Sequence, residues 1–336
     1  MTSTRIQPVL FDEQRKSAPS GAGNRKVRRA EDMKTSVVIP TKNGEEWVRE
    51  CLESVYSQEG VELTEVLLVD SGSTDKTLEI ARKYPVRIEE IPAEEFHHAR
   101  TRNYAASLTS GKYLVFLSQD AIPASRRWLE AMLRNFEDGT VGAVYGRQVP
   151  KAGSTSERHD ALSTMYGTER VVKDASSKES LGYRYYHFSD ANAAIRREVW
   201  EATRFPEELK VFEDLGIAKR ILDGGWKIVY EPAASVMHSH NHTTGELFKR
   251  YFDIGYTFRR LGIWNERTQN SMMREAEKLV RKKLGGNGNG NRGGALVGIR
   301  MDLAKSVGFW LGVHESYLPV TVKRHLSAHK VFHDSK

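Results

Sequence analysis

The feature that most constrains this chain is an alternation of short apolar runs and longer amphipathic stretches between residues 36 and 136. Ser36-Val37-Val38-Ile39 is a β-branched run that reads as a buried strand stopped by Pro40. Residues 45–58 then place Trp47, Val48, Cys51, Leu52 and Val55 on one face of a helix. A second apolar strand, 65–69, ends at Asp70. Ser71-Gly72-Ser73-Thr74-Asp75 supplies a turn and a helix cap ahead of Leu78, Ile80 and Ala81. Strand 86–91, helix 99–108 and strand 113–117 continue the pattern, and Trp128, Leu129, Met132, Leu133 and Phe136 form a helix after Pro123. This succession predicts an α/β fold, a mostly parallel, Rossmann-like sheet with helices on both faces.

Past a strand at 141–149 the alternation loosens. Residues 151–185 are polar and irregular and read as a mobile segment, a helix follows Arg197, and 226–237 reads as strand. The organisation expected is a disordered basic leader over 1–33 and an α/β domain over 34–242. A helical extension over 243–284, a Gly/Asn-rich linker over 285–294, and an amphipathic C-terminal helix with a tail over 295–336 complete it.

The chain carries 51 Lys and Arg against 44 Asp and Glu, a net charge of +7. That excess suits an anionic partner, such as a phosphorylated small molecule or a membrane surface, as well as a merely basic soluble protein. No nucleic-acid motif accompanies it, so no nucleic-acid partner is expected. The single cysteine, Cys51, excludes an internal disulfide and a cysteine-rich zinc site, and its apolar neighbours make it a helix-core residue. There is no signal-peptide core and no apolar run near the roughly 20 residues of a membrane span. A cytoplasmic protein is expected, with any membrane contact peripheral and at the inner face of the cell membrane.

Ligands of an open parallel sheet bind beyond the carboxyl ends of its strands. Pro40-Thr41-Lys42-Asn43 follows the first strand, Asp70-Ser71 the second, and Ser118-Gln119-Asp120-Ala121 the fourth. Polar and acidic groups thus converge on one edge. Taken singly, Asp70 fits a helix cap as well as a ligand contact. The loop after the first strand lacks the Gly-x-Gly-x-x-Gly turn of a dinucleotide dehydrogenase and the Gly-rich basic grip of a nucleotidyltransferase.

Five segments in this order resemble the family 2 inverting glycosyltransferases of the GT-A fold. They are Val37-Val38-Ile39-Pro40-Thr41-Lys42-Asn43, Val69-Asp70-Ser71-Gly72-Ser73-Thr74-Asp75, Arg100-Thr101-Arg102-Asn103, Phe116-Leu117-Ser118-Gln119-Asp120-Ala121 and Phe212-Glu213-Asp214. Phe96-His97-His98-Ala99 and Gln119-Asp120-Ala121 are similar to the bacterial rhamnosyltransferase branch. The resemblance implies a donor nucleotide site built from Pro40, Thr41, Asn43, Asp70, Ser71, Arg102 and Gln119. Asp70 would accept the imide N–H of uracil or thymine. Arg102 would neutralise phosphate or brace the base, or else pair with a strand-end carboxylate.

The resemblance also places a divalent metal on the donor diphosphate. Family members carry two carboxylates in the triplet, but Ser118-Gln119-Asp120 keeps only the last, so His238 is implied as a further ligand. Mg²⁺ and Mn²⁺ both prefer oxygen, and an imidazole favours Mn²⁺. His238, His240 and His242 alternate on what reads as one strand face, without the Cys or His-Glu pattern of a zinc site. Asp214 matches the catalytic base that takes the acceptor proton, with Glu213 in support. An acidic pair that merely suits a helix start is the plainer reading. Asp190 and Asn192 match the segment that faces donor sugar or acceptor. His97 and His98 shape the sugar pocket or pack at a helix start, and Arg250 approaches the diphosphate or belongs to a solvated basic face.

The implied reaction is transfer of one sugar, with inversion, from a nucleotide-sugar to a surface-glycan or lipid-linked hydroxyl. dTDP-L-rhamnose is the first donor and UDP-sugars the second. The Gln-x-x-Arg-Trp motif of processive synthases is absent. A nucleotide-sugar-binding protein without turnover is the alternative from another class, and the intact Glu213-Asp214 argues against it. Residues 295–311 fit a peripheral membrane helix, a helix packed on the catalytic domain, or a homodimer contact equally well.

Overall fold

A computed structural model describes residues 34–154, 162–163, 165–272, 274, 292–329 and 331–332. The expected leader over 1–33 and most of the expected linker lie outside the described residues. Among them runs one nine-stranded sheet of β1 (Thr35–Thr41), β2 (Glu65–Asp70), β3 (Arg87–Glu90), β4 (Tyr113–Leu117), β5 (Ile122–Pro123), β6 (Val141–Val149), β7 (Val171–Lys173), β8 (Asn192–Arg196) and β9 (Lys227–Met237). Its order is β3-β2-β1-β4-β8-β6-β9-β5, with β7 also paired to β9.

Successive residues of the central strands point to opposite faces, and both faces are covered. Val38, Leu67, Leu114 and Phe116 enter one core, while Val37, Ile39, Leu68 and Val115 enter the other. Helices α1 (Val48–Tyr56), α2 (Thr77–Ala81) and α4 (Trp128–Leu133) send their buried residues into the second core. Helices α3 (His98–Ser107), α6 (Arg197–Thr203) and α7 (Glu213–Asp223) send theirs into the first. Strand β1 does not stop at Pro40 as its sequence suggests. It runs on to Thr41 beside β2, because pairing with β4 has ended at Val38 and Phe116, where the proline's missing N–H costs no ladder bond.

Residues 151–185 are more regular than their polarity suggests. They include β7 and the short helix α5 (Lys178–Leu181), and Lys173 is buried over the Tyr145 ring with its ammonium donating to the carbonyls of Arg184 and His187.

Two registers position the site. Strand β8 runs antiparallel to β4 with Asn192 opposite Leu117, so the chain just before β8 lies at the carboxyl end of β4. Strand β9 runs parallel to β6 with Met237 opposite Val149, so the residues following both strands emerge together. The carboxyl ends of β1, β2, β4, β6 and β9 and the amino end of β8 therefore share one edge.

The C-terminal helices pack on the α/β body. In α8 (Thr244–Arg260) and α9 (Arg292–Val313), glycines replace side chains at the crossing. A Cβ on Gly255 would stand 2.2 Å from the Phe309 carbonyl, and one on Gly312 would stand 2.0 Å from that of Phe252. The helix begins at Arg292, inside the stretch expected as linker. Phe309 and Val313 join the main core, so of the three readings of 295–311, packing on the catalytic domain is present. Ile299, Leu303, Val307 and Trp310 remain exposed. A final helix, α10 (Val320–Leu326), leads to Ala328 and His329, whose N–H groups donate to the buried Asp253 carboxylate. No helix among the described residues is long and apolar enough to cross a membrane.

Candidate active site

Asp120, in the turn after β4, meets two histidines that follow β9. Its Oδ1 lies 3.3 Å from His238 Nε2 and its Oδ2 3.4 Å from His240 Nε2, while the two Nε2 atoms are 3.0 Å apart. Gln148, near the end of β6, fixes the His238 tautomer, because Nδ1–H donates to Gln148 Oε1 at 3.0 Å. Nε2 of His238 thus carries a lone pair and faces a carboxylate that also has no proton to offer. Against its burial, the basic groups around it, His238 and His240 with Lys151, hold the Asp120 carboxyl well below the usual range, so it stands ionised; burial lowers His240 to about 4, so its ring is a neutral donor. Three electron-pair donors converging in this way fit a cation. Neighbouring ligands of an octahedral Mg²⁺, bound at about 2.1 Å, stand about 3 Å apart, close to the spacing found.

The loops at the ends of β1 and β2 are sewn to each other and to the Asp120 turn. Ser71 N–H donates to Thr41 O at 2.9 Å, Thr74 N–H to Asn43 Oδ1 at 2.9 Å, and Gly44 N–H to Thr77 Oγ1 at 2.7 Å. Thr41 Oγ1 turns back to the Ile39 carbonyl at 3.2 Å. Asp70 caps its own turn, with Oδ2 accepting from the N–H groups of Gly72 and Ser73 at 3.0 and 2.8 Å. Gln119 grips the peptide of Lys42 on both sides, accepting from its N–H at 3.0 Å and donating to its carbonyl at 2.9 Å. The side chains assigned to the nucleotide are thus largely engaged in holding the backbone edge. Pro40 lies in that edge as part of β1.

The acidic pair lies at the start of α7, under strained backbone. Phe212, the residue before it, sits at φ 58, ψ 37 in the left-handed region, which a bulky side chain rarely enters. Arg250, exposed on α8, stacks its guanidinium over the Phe212 ring at 5.2 Å, and His329 meets the same ring edge-on at 6.0 Å. Arg250 therefore approaches the acidic pair through Phe212. Arg102 is buried and ion-paired. Its Nε lies 2.8 Å from Asp190 Oδ2, and its Nη1 lies 2.9 Å from Glu213 Oε1. Two carboxylates thus pair with one guanidinium, and Asp214 lies within reach of its charge. Burial raises Asp190 to about 7 in spite of Arg102, and burial together with the charges of Asp190 and Glu213 raises Asp214 well above an ordinary aspartate. A carboxyl raised in this way is matched to general-base work near neutral pH.

The geometry selects among the open readings of Arg102, His97 and His98, keeps Cys51 as a core residue, and changes the reading of Asn192. Arg102 faces Asp190 and Glu213, so its guanidinium pairs carboxylates instead of phosphate; neither partner is near it in sequence. Asn192 is completely buried and shows no surface to a sugar. It accepts from Trp128 Nε1 and donates to the Ala234 carbonyl, both at 2.8 Å. His97 caps α3, its ring accepting from Arg100 N–H at 3.4 Å. His98 is half exposed beside Glu213 at 3.7 Å, and burial lowers it to about 4. Cys51 is buried and its thiol is pushed up to about 12, chiefly by burial, which removes it as a nucleophile. His240, outside the implied metal set, stands beside His238 and Asp120, and the histidines follow the end of β9 instead of lining a strand face.

With the geometry in place, comparison with solved structures places the fold among the GT-A glycosyltransferases. The mannosyltransferase PcManGT from Pyrobaculum calidifontis, solved with GDP-Man and Mn²⁺, superposes with a TM-score of 0.52 at 19% identity, covering 85% of this chain and 76% of that one. The chain belongs to glycosyl transferase family 2, whose family model matches residues 36–203. It is a glycosyltransferase with rhamnosyltransferase homologues. It is 33% identical over 304 residues to the O-antigen chain rhamnosyltransferase WbaN of Salmonella anatum, covering 88% of this chain and 95% of that one. The O-antigen chain rhamnosyltransferase RfbN of Salmonella typhimurium is 30% identical over 303 residues, with 89% and 96% covered.

Proposed function

We propose that this glycosyltransferase moves one L-rhamnose from dTDP-L-rhamnose to a hydroxyl of a growing surface glycan, free or lipid-linked, with inversion at the anomeric carbon. The observation that carries the donor assignment is the similarity to two O-antigen chain rhamnosyltransferases along nearly their whole lengths. Asp120, His238 and His240 have the donor types and spacing to hold a divalent cation, and their two imidazoles favour Mn²⁺ over Mg²⁺. An ion held by these three residues would offset the charge that develops on the departing diphosphate.

The chain's own residues supply the remainder. Asp214 takes the acceptor proton while the acceptor oxygen bonds to the anomeric carbon and the bond from that carbon to the diphosphate oxygen breaks. Arg102 holds Asp190 and Glu213 beside it, so the added negative charge of the cluster keeps Asp214 basic. The exposed row Ile299, Leu303, Val307 and Trp310 supports a peripheral membrane position, where a lipid-linked acceptor is met.

A calorimetric panel of nucleotide-sugars tests the donor. dTDP-L-rhamnose should bind in the presence of Mn²⁺ more tightly than any UDP- or GDP-sugar. Tighter binding of a UDP-sugar would replace rhamnose as the transferred group.

A further inference from the structure

Beside the two histidines, Lys151 is the one lysine or arginine paired with the Asp120 carboxylate among the described residues. It leaves the end of β6, and its own N–H donates to Ser239 Oγ at 3.0 Å, between the two histidines of the triad. Its ammonium lies 3.5 Å from Asp120 Oδ2 and 3.6 Å from the centroid of the Trp47 ring, with only 11% of the side chain exposed. A lysine held so far from water over an aromatic face is placed, not merely solvated.

Its position creates a charge conflict that only a particular ligand relieves. A divalent cation on Asp120 brings two positive charges within a few ångströms of the ammonium, and the triplet offers no second carboxylate because Ser118 stands in that place. Two cations sharing one carboxylate repel each other through a poorly screened site. A polyanion bound to both relieves the conflict.

We propose that Lys151 is a diphosphate-binding residue that couples metal to nucleotide: its ammonium opposes the metal alone and joins the metal in holding a nucleoside diphosphate. This rests on the donor reading above. Metal and nucleotide then bind with positive coupling, each tightening the other by the same factor. The contact with the Trp47 ring holds the ammonium aimed at the site when no donor is present.

The test measures Mn²⁺ binding by electron paramagnetic resonance, with and without dTDP, and dTDP binding by calorimetry, with and without Mn²⁺. Lys151→Met should bind Mn²⁺ alone more tightly than the wild type and dTDP more weakly, each by roughly fivefold or more. Lys151→Arg should retain most of the dTDP affinity. A structural role for the lysine moves both affinities the same way, so weakening of both, or a change in neither, overturns the proposal. Lys151→Gln carries the same comparison should the methionine variant fail to fold. A wild-type protein that binds neither dTDP nor UDP with Mn²⁺ contradicts the donor reading itself. A wild type that binds them, with Lys151→Met indistinguishable from it, contradicts the role of Lys151 alone.

Discussion

His238 and His240 face one another nitrogen to nitrogen, with 3.0 Å between their Nε2 atoms and the Asp120 carboxylate against both. If this constellation holds the metal, His240→Ala should weaken Mn²⁺ binding in the presence of dTDP at least as much as loss of the Gln148 support. Gln148→Leu removes the acceptor that fixes the His238 tautomer, and should weaken binding by roughly 10–100-fold. Magnetic resonance titration of Mn²⁺ measures both. Unchanged affinity in the two variants would remove the triad as the metal site.

The position of Asp120 was legible because a short motif after an apolar strand marks a sheet edge whatever the rest of the chain does. His238 was legible through the family resemblance. His240 was grouped with His238 by strand alternation but only as part of a zinc pattern, which the missing Cys or His-Glu partners set aside. Arg102 was left open between phosphate and a strand-end carboxylate, and its partners could not be named. Its carboxylate partners, Asp190 and Glu213, come to it through the antiparallel insertion of β8 and the approach of α7, and neither contact leaves a local trace in the sequence. Asn192 sits in a polar-looking segment but is the first residue of a central strand, so topology buried it. The glycines of the α8–α9 crossing likewise carry no periodic signal, and only the close approach of the two backbones explains them.

With Asp214 as the proposed base, its titration should set the pH dependence of transfer. A base must be deprotonated, and this carboxyl is raised by burial and by Asp190 and Glu213. The rate therefore falls as pH drops through a value well above the ordinary aspartate 3.8. Asp190→Asn removes one of the raising charges and should move that limb to lower pH. Asp214→Asn should bind donor normally while losing roughly 10²–10⁴ in transfer rate. A pH–rate profile of kcat/KM reads the limb, and a wild-type limb near pH 4 would contradict the assignment.

Folding stability has its own pH window at the same cluster. His98 is lowered from 6.5 to about 4, so the stability it contributes is present above 6.5 and is lost as pH falls toward 4. Asp190 is raised from 3.8 to about 7, so its contribution is present below 3.8 and is lost as pH rises through 7. Urea unfolding of His98→Gln should therefore show a shallower fall in stability between pH 6.5 and 4 than the wild type. An identical fall in both proteins would assign that window to other groups.

Asn192 should matter to folding instead of to sugar recognition. Asn192→Ala leaves Trp128 Nε1 and the Ala234 carbonyl without their partner in a closed core. Each orphaned group costs about 1–3 kcal/mol, so a loss of several kcal/mol is expected in chemical denaturation. Unchanged stability with weakened donor or acceptor binding would return Asn192 to the site.

The central claim is metal-assisted transfer from a nucleotide-sugar at the Asp120 edge, and one assay addresses it most directly. The wild type and Asp120→Ala are each incubated with dTDP-L-rhamnose and a panel of UDP- and GDP-sugars, with and without Mn²⁺, and release of the free nucleotide is followed. The account predicts Mn²⁺-dependent release of dTDP by the wild type, reduced to background in Asp120→Ala. No release from any nucleotide-sugar, or release that neither Mn²⁺ nor the loss of Asp120 alters, would contradict it.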